Sequence, residues 1–394
     1  SAYNIGIGYD AGASVTTGTF NTLIGGLAGD ALTTGSTNVA LGVQALTTED
    51  TGQGAVAIGY QALYSQNYDG VSYNVAVGRN AGEAVTTGIQ NTIVGGLAGD
   101  ALTDAYYNVA IGYQSLSADV RGSGSVAIGR AALLAQNFTT STNAYNIAVG
   151  YNAGVAVTTG LQNTIVGAVA AASMTTGESN TFMGYVSAGG ATITGNLNTA
   201  VGYASLYSLS SGSGNVGLGR DSGRSGAPGG NVTTVSGQLC LGDENITNAH
   251  IQVSLTVASD ERDKTDFVDL DLGLDFVKSL EPVTYYWDKR AKYLDRDNAD
   301  GTSNTDYDLD SVTPDGTHKE DWMDLGFKAQ SVQALEEAAG YKISDKKNLT
   351  VHASEDGKQL ALKYEKFVPI LVKAIKDQDA IITSLTARVA ALES

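Results

Sequence analysis

The stretch Asn38-Val39-Ala40-Leu41-Gly42 decides the fold, because its pattern, Asn-x-(Ala/Ile)-(Val/Ile/Leu)-Gly, returns throughout the first 242 residues. The step between copies is 17 residues almost throughout, and it lengthens to 19 residues before Asn74 and to 21 before Asn146. Such a step is too short for a strand–helix–strand unit, but it suits two short strands and two turns. The sequence therefore predicts a mainly β chain built on a parallel β-solenoid, in which each coil is stabilised by its neighbours.

A longer period lies above the coil. Val-Thr-Thr-Gly recurs at 15–18, 85–88 and 157–160, which indicates a duplicated block of four coils. The coils begin at Asn4, Asn21, Asn38, Ala55, Asn74, Asn91, Asn108, Ser125, Asn146, Asn163, Asn180, Asn198, Asn215 and, in degenerate form, Gln238.

Each position of the motif has a physical role. Val39 and Leu41 alternate with Ala40, so one face of the strand can be apolar and the other small or polar. The glycine suits a corner with positive φ, and the asparagine can stack in a ladder with its copies in the coils above and below. Small side chains give a thin core, so we expect three chains to associate.

Charge marks a domain boundary. Residues 1–258 hold five Arg and no Lys, whereas the other 18 of the 23 Lys and Arg lie in 259–394. We therefore expect a repetitive shaft over 1–245, a linker over 246–258 and a second domain over 259–394.

Composition excludes several classes of function. The formal net charge of -18 argues against nucleic acid, whose phosphates require a basic face. Runs of about 18 apolar residues, which membrane insertion requires, do not occur. The single cysteine, Cys240, cannot form an internal disulfide framework. The sequence starts inside a repeat, so we expect an upstream part of a longer protein.

The repeats over about residues 4–245 resemble the heads of trimeric autotransporter adhesins, which are left-handed parallel β-rolls packed as trimers. Similar coils occur in phage tail fibres. The resemblance implies a homotrimer. Receptor-binding loops are expected where coils are lengthened, at Tyr64–Tyr73, Asn137–Tyr145 and Ser222–Thr234.

Three tyrosines of the first loop are candidates for receptor binding. Tyr64, Tyr68 and Tyr73 could stack on sugar rings, or they could simply cap a coil edge. The sequence leaves both interpretations open, as it does a shaft that binds no ligand.

Residues 259–264 read Ser-Asp-Glu-Arg-Asp-Lys and resemble the start of the intramolecular chaperone domain at the C-terminus of phage endosialidases, tail spikes and L-shaped tail fibres. Three later stretches agree with that family in the same order. They are Pro282–Trp287, Leu325–Leu335 and Tyr364–Ile375.

The resemblance implies a single self-cleavage of each chain, at the bond Ala258–Ser259. Ser259 would be the nucleophile and Lys264 its general base, because a serine hydroxyl is weak without a neighbouring base. A lysine can serve only if burial favours its neutral form, and we expect that burial to arise when the trimer assembles. Asp260 and Arg262 are expected to hold the loop by ion pairing.

The C-terminus predicts a coiled-coil helix over 362–394. The a positions would be Val368, Ile375, Ile382 and Val389, and the d positions Leu371, Gln378, Leu385 and Leu392. This pattern alone favours two strands, whereas the resemblance implies three. Such a bundle would align near-identical coils before the shaft folds.

Metal and cofactor sites are not expected. The Asp-rich stretch Asp295–Asp310, with acids at 297, 300, 306 and 308, lacks the spacing of a calcium loop. The three histidines, His250, His318 and His352, are dispersed. An acidic pair for glycan hydrolysis cannot be chosen from the shaft.

The sequence favours a trimeric phage tail fibre that attaches to a bacterial surface glycan or protein and carries a self-cleaving C-terminal chaperone. Such a fibre would be assembled in the host cytoplasm, sit in the virion tail and become extracellular on release. The alternatives are a tailspike polysaccharide depolymerase and a bacterial trimeric adhesin.

Overall fold

The computed structural model describes residues 3–252, 255, 257–297, 304 and 307–393. The chain divides into two compact units, Ser1–Asp243 and Glu244–Ser394. The first unit contains the repeats, and the second contains the charged C-terminal sequence.

The first unit is a parallel β-solenoid, as predicted. In the described residues, 14 strands form one sheet in sequence order, one strand from each coil. The register keeps equivalent residues of successive coils opposite each other, as Val39 lies opposite Val56 and Ala40 opposite Ala57.

These strands and two short additional ones are numbered in chain order. They are Ile5–Ile7 (β1), Thr22–Ile24 (β2), Val39–Leu41 (β3), Val56–Ile58 (β4), Val75–Val77 (β5), Thr92–Val94 (β6), Val109–Ile111 (β7), Gly122–Ser123 (β8), Val126–Ile128 (β9), Thr142–Asn143 (β10), Ile147–Val149 (β11), Thr164–Val166 (β12), Thr181–Met183 (β13), Thr199–Val201 (β14), Val216–Leu218 (β15) and Leu239–Leu241 (β16).

The expectation of two strands in each coil is wrong. Each coil contributes one strand of three residues to the main sheet; outside that sheet the described shaft has only the β8–β10 pair and isolated bridges at Gln53–Val71 and Met174–Ile193. Positive φ occurs at alternate residues after the strand, as at Gln114 (56°) and Leu116 (53°). Backbone in the left-handed region cannot continue a strand, so turns replace it.

The asparagine ladder is confirmed. Asn38 is fully buried, and three hydrogen bonds join it to the preceding coil, to the end of its own coil and to the next coil. Its backbone N–H donates to Asn21 Oδ1 (3.0 Å), its Nδ2 donates to the Gly52 carbonyl (2.8 Å), and its Oδ1 accepts from the Ala55 N–H (2.9 Å). One side chain thus satisfies two backbone groups that the narrow core would otherwise leave unpaired.

The glycine corner is also confirmed. Gly112 has φ +130°, and a Cβ added there would lie 2.5 Å from the carbonyl oxygen of Gly129 in the next coil. Both the conformation and the close approach of successive coils therefore require glycine.

Two carboxylates occupy core positions of the shaft. Glu49 and Asp119 are fully buried, at the place in the coil where Leu32 and Leu102 lie in other coils. Both carboxylates stand immediately before a lengthened coil, in which Ala55 or Ser125 replaces the ladder asparagine.

Hydrogen bonds satisfy these carboxylates. Glu49 accepts from the N–H groups of Gly52 (2.7 Å) and Tyr68 (3.2 Å) and from Gln66 Nε2 (3.1 Å). Gln66 Oε1 in turn accepts from Asn74 Nδ2 (2.8 Å), so the glutamine restores the ladder across the coil that lacks an asparagine.

The second block repeats this arrangement. Asp119 accepts from the N–H groups of Gly122 (3.0 Å) and Phe138 (3.0 Å) and from Gln136 Nε2 (2.6 Å). Gln136 Oε1 accepts from Asn146 Nδ2 (2.9 Å). Burial raises the pKa of both carboxyls, although the hydrogen bonds oppose that shift.

The second unit is a small α+β region followed by a long helix. Its apolar core includes Leu272, Phe276, Val332, Val351 and Ile370. Its elements are Leu274–Ser279 (α1), Val283–Tyr285 (β17), Asp324–Gly326 (β18), Ala329–Ala338 (α2), Val351–Ala353 (β19), Leu360–Leu362 (β20) and Phe367–Glu393 (α3), with β17–β18 and β19–β20 antiparallel.

The C-terminal helix begins later than predicted. Residue 362 was the expected start, but Leu362 pairs with Val351 at the end of β20. A 3-10 turn, Tyr364–Lys366, then leads into α3 at Phe367. Phe367 and Ile370 face the core of the unit, whereas the predicted a residues Ile375 and Ile382 are exposed in the single chain.

We expect Asn108→Ala to destabilise the shaft. The asparagine donates to the Gly122 carbonyl and accepts from the Ser125 N–H, so its loss leaves two buried backbone groups unpaired. Each such group costs about 1–3 kcal/mol. Guanidinium unfolding measures the loss, and Asn137→Ala, which removes an exposed amide, is the matched control. Equal stability of the two variants would contradict the ladder.

The buried carboxylates predict a pH dependence. Because their pKa values are raised in the folded state, the folded shaft binds more protons than the unfolded chain between the two pKa values. The contribution of these groups to the unfolding free energy therefore falls as pH rises through that window, by up to about 1.4 kcal/mol per pH unit for each group. We expect Glu49→Gln/Asp119→Asn to remove this slope.

The readout is the difference in unfolding free energy between the parent and the double variant across a pH series. The exposed Asp69→Asn substitution controls for a general change in charge. A difference that does not vary with pH would show that these carboxyls do not titrate as inferred.

Candidate self-cleavage site

The first residues of the predicted chaperone form a tight loop. Asp260 caps the 3-10 helix Glu261–Asp263 by accepting from the N–H of Arg262 (2.9 Å). The chain turns back at the end of this helix, where the Lys264 N–H donates to the Glu261 carbonyl (3.1 Å). Positions 259 and 264 are thereby brought to the same side of the turn.

The structure brings Ser259 and Lys264 together. Lys264 Nζ lies 2.5 Å from Ser259 Oγ and 3.1 Å from the Ser259 carbonyl oxygen. A nucleophile and a base must stand at this separation for proton transfer. Both side chains are exposed in the single chain.

The expected ion pair between Asp260 and Arg262 is present. Arg262 Nη2 lies 2.6 Å from Asp260 Oδ2, and its Nε donates to the same carboxylate (3.1 Å to Oδ1). Arg262 lowers the pKa of the Asp260 carboxyl, and Asp260 raises the pKa of Arg262. This contact stabilises the turn that holds Ser259 near Lys264.

The predicted cleavage position, between Ala258 and Ser259, lies in an exposed segment. Ala258 is exposed, as are the other described residues of the predicted linker 246–258. Residues 253, 254 and 256 of that linker lie outside the described residues.

The three later stretches that carried the resemblance contact one another. Val283–Tyr285 from the first stretch pairs with Asp324–Gly326, at the start of the second. Asp324 also accepts from Trp287 Nε1 (3.1 Å). Phe327 of the second stretch stacks on Phe367 of the third, with ring centroids 5.3 Å apart.

The sequence analysis did not predict two sets of hydrogen bonds that connect the elements of the second unit. Glu336 is buried and accepts from the N–H groups of Leu349 (3.1 Å) and Thr350 (2.6 Å). Asp377 accepts from the Leu274 N–H (3.2 Å) and so ties α3 to α1. The sequence around an acidic residue in a helix does not reveal which distant backbone N–H group it will bind.

The candidate receptor tyrosines do not form one cluster. Tyr73 is 62% exposed, whereas Tyr64 and Tyr68 are half-buried, and in the described part of the chain no ring contact joins them. In the third candidate loop, the buried Arg224 lies over the Tyr207 ring, 4.5 Å from its centroid.

The Asp-rich stretch is held by cations. Asp308 pairs with Lys358 and Asp310 with Arg290, each at 2.7 Å. Asp300 and Asp306 lie outside the described residues. Among those described, no group of three or more His, Cys, Asp or Glu could hold a metal ion. Within the same ranges, no helix combines the length and apolar composition needed to cross a bilayer.

Comparison with known proteins finds a family similarity in the second unit. A peptidase family model, described as the chaperone of endosialidase, matches residues 259–341. The match begins at Ser259. No curated protein and no solved structure matches the chain. The chain therefore combines a parallel β-solenoid with a C-terminal region similar to the chaperone of endosialidase, an arrangement that matches an endosialidase-type fibre with a C-terminal chaperone.

Proposed function

We propose that this chain is a subunit of a homotrimeric phage tail fibre whose second unit aligns three shafts and then cuts the bond Ala258–Ser259. The observation that carries the cleavage is the 2.5 Å contact between Lys264 Nζ and Ser259 Oγ at the start of the matched domain. The fibre would be assembled in the host cytoplasm and serve in the virion tail after release.

The reaction is an acyl shift followed by hydrolysis. Lys264 Nζ takes the hydroxyl proton while Ser259 Oγ bonds to the Ala258 carbonyl carbon. The carbon–nitrogen bond then breaks, and the proton passes to the Ser259 amide nitrogen, which becomes a free amine. Water hydrolyses the resulting ester and leaves a carboxylate on Ala258 and a free hydroxyl on Ser259.

Assembly would control this reaction. A lysine accepts a proton only in its neutral form, which water disfavours. Lys264 is exposed in the single chain, next to the acidic Asp263. Cover by a neighbouring chain would remove water from the lysine, so cleavage would follow trimer formation.

Helix α3 supplies the trimerising surface. Val368, Ile375, Ile382, Leu385 and Val389 are all at least half-exposed, although they fall at the a and d positions. An apolar seam of this kind is stabilised when other helices cover it. Three aligned helices would fix the register of the shafts before their coils form.

The lengthened coils would contact a receptor, which is a glycan or a protein of the bacterial surface. Glu49 and Asp119 hold the first and second of these loops through the N–H groups of Tyr68 and Phe138. The same contacts weigh against a depolymerase, because these two acids face the core and are satisfied there.

We expect the parent chain to yield a fragment that begins at Ser259, and Ser259→Ala and Lys264→Met to stay intact. Each substitution removes one partner of the contact, and loss of a nucleophile or base typically costs at least about a hundredfold in rate. Intact mass and a denaturing gel provide the measurement. Ser279→Ala and Lys278→Met, exposed residues of α1, are the controls and should still cleave.

Cleavage that persists in Ser259→Ala would refute Ser259 as the nucleophile. Cleavage that persists in Lys264→Met but not in Ser259→Ala would support Ser259 as the nucleophile and refute Lys264 as the base. A parent chain that stays uncut as a trimer would remove the peptidase from the proposal.

We expect Ile375→Asp/Ile382→Asp to abolish the trimer. The seam would then bury unpaired carboxylates, each costing more than the roughly 1–3 kcal/mol of an unsatisfied neutral group. Sedimentation should show one chain instead of three, with the shaft aggregated or unfolded. Ser384→Asp, on another side of α3, should remain trimeric; a trimeric double variant would contradict the role of the seam.

A further inference from the structure

We propose that the outer face of the solenoid sheet is the surface along which copies of this chain meet, in the same axial register. This inference rests on the proposed homotrimer and locates its contact in the shaft. The outer face consists of the first and third residues of each strand of the main sheet. Two columns of residues border this face. The N-flank consists of the residue that precedes the first residue of each coil, and the C-flank consists of the residue that follows the corner glycine of each coil.

The outer face is uncharged over the whole sheet, and the column formed by the third residues of the strands is apolar throughout. The middle residue of each strand points into the core, as the fully buried Ala40, Ile93 and Phe182 do, so its neighbours point outward. The third residues are all apolar: Ile7, Ile24, Leu41, Ile58, Val77, Val94, Ile111, Ile128, Val149, Val166, Met183, Val201, Leu218 and Leu241.

The first residues of the strands are also uncharged, since each is Ile, Val, Thr or Leu. Many outward residues are partly exposed, and Leu41 reaches 42%. The exposed positions elsewhere in the coil are mostly polar, as at Thr34 and Thr48, although Val71 is 41% exposed. A continuous apolar face with polar sides marks an interaction surface.

Aromatic residues follow both flanks. On the N-flank, Tyr3 stacks on Phe20 with ring centroids 5.5 Å apart. On the C-flank, Tyr185 stacks on Tyr203 at 5.8 Å. Arginines join the C-flank column, as Arg130 does over the Tyr151 ring at 5.4 Å. Aromatic residues and arginine are enriched at protein interfaces.

The repeat itself selects the partner. Successive strands lie about 4.8 Å apart, so the 14 strands extend over roughly 60 Å. A partner that covers this face throughout must carry the same spacing in the same direction. A second copy of the chain, parallel and unshifted, meets that requirement along the whole face.

In several coils, a large residue on one flank is accompanied by glycine on the other flank. The coil with Gly54 on its N-flank has Tyr60 on its C-flank, and the coil with Gly124 has Arg130. Gly214 with Arg220 repeats the pattern, and Phe20 with Gly26 reverses it. Where three outer faces turn toward a common axis, the N-flank of one chain meets the C-flank of the next. A large residue then enters the space left by glycine only if the chains are in register.

Other coils carry large residues on both flanks. Tyr107 and Tyr113 share one coil, and Tyr73 and Arg79 share another. Across two chains these would form ring–ring and cation–π pairs, which are worth about 0.5–1.5 kcal/mol each. Both kinds of coil therefore favour the unshifted register.

The test uses the full chain with Ser259→Ala, so that it stays intact. One variant carries Thr37→Cys on the N-flank and Val43→Cys on the C-flank of the same coil, where both residues are exposed. Sedimentation first gives the number of chains. A short bismaleimide is then added, and a denaturing gel shows the covalent species.

We expect three chains by sedimentation and covalent trimers from the double-cysteine variant. Thr37→Cys or Val43→Cys alone should give monomers on the gel, because each N-flank faces a C-flank. Thr34→Cys/Thr48→Cys, on the polar side of the coil, is the matched control and should also give monomers. The buried Cys240 is common to all variants.

If sedimentation shows three chains but the flank pair gives no covalent trimers on the gel, the proposed interface is wrong and the trimer is retained. Equal cross-linking of the polar pair would lead to the same conclusion. Single chains in sedimentation would overturn the homotrimer and the interface together. The flank tyrosines could instead be accessible to solvent and become protected only when a soluble glycan is added. That result would assign the aromatic columns to receptor binding and refute the interface.

Discussion

The shaft depends on one interaction, the hydrogen bonds by which the side chain of each ladder asparagine joins the end of its own coil to the start of the next coil. A coil of 17 residues has almost no core of its own, and its middle strand residue is often only alanine, as at Ala40 and Ala110. Hydrophobic burial is therefore small, while buried backbone groups are many. Asn38 satisfies its neighbours at Gly52 and Ala55, so no coil is complete until the next one forms.

This dependence creates a problem of register, because near-identical coils can pair one step out of place. The buried hydrogen-bonded pairs Glu49–Gln66 and Asp119–Gln136 oppose such slippage. A shift by one coil would place a carboxylate against an apolar core residue and leave it without donors, which is strongly unfavourable. The polar interruptions in the core thus give the repetitive sequence unique positions.

The sequence predicted those features that repetition makes visible. Asparagine and glycine recur at fixed spacing, so their ladder and corner followed from their chemistry. The core role of Glu49 did not follow, because its meaning depends on Gln66 in the next coil and on the loop at Tyr68. The second strand of each coil was wrongly expected, since left-handed backbone at residues such as Leu116 has no single-residue signature. At the site, spacing alone could not pair Ser259 with Lys264; the family resemblance suggested it, and the Asp260 cap explains the turn.

The exposure of that pair connects cleavage to assembly. In one chain Lys264 contacts Ser259 but remains exposed to water, whereas burial is what favours the neutral form that a lysine base needs. A neighbouring chain could supply the missing burial without moving either residue, since the turn already holds them in contact. The reaction would then need no conformational signal beyond the presence of the neighbour. A chain that fails to assemble would keep its chaperone attached, and an aligned trimer would release it, so a single local contact would distinguish the two states.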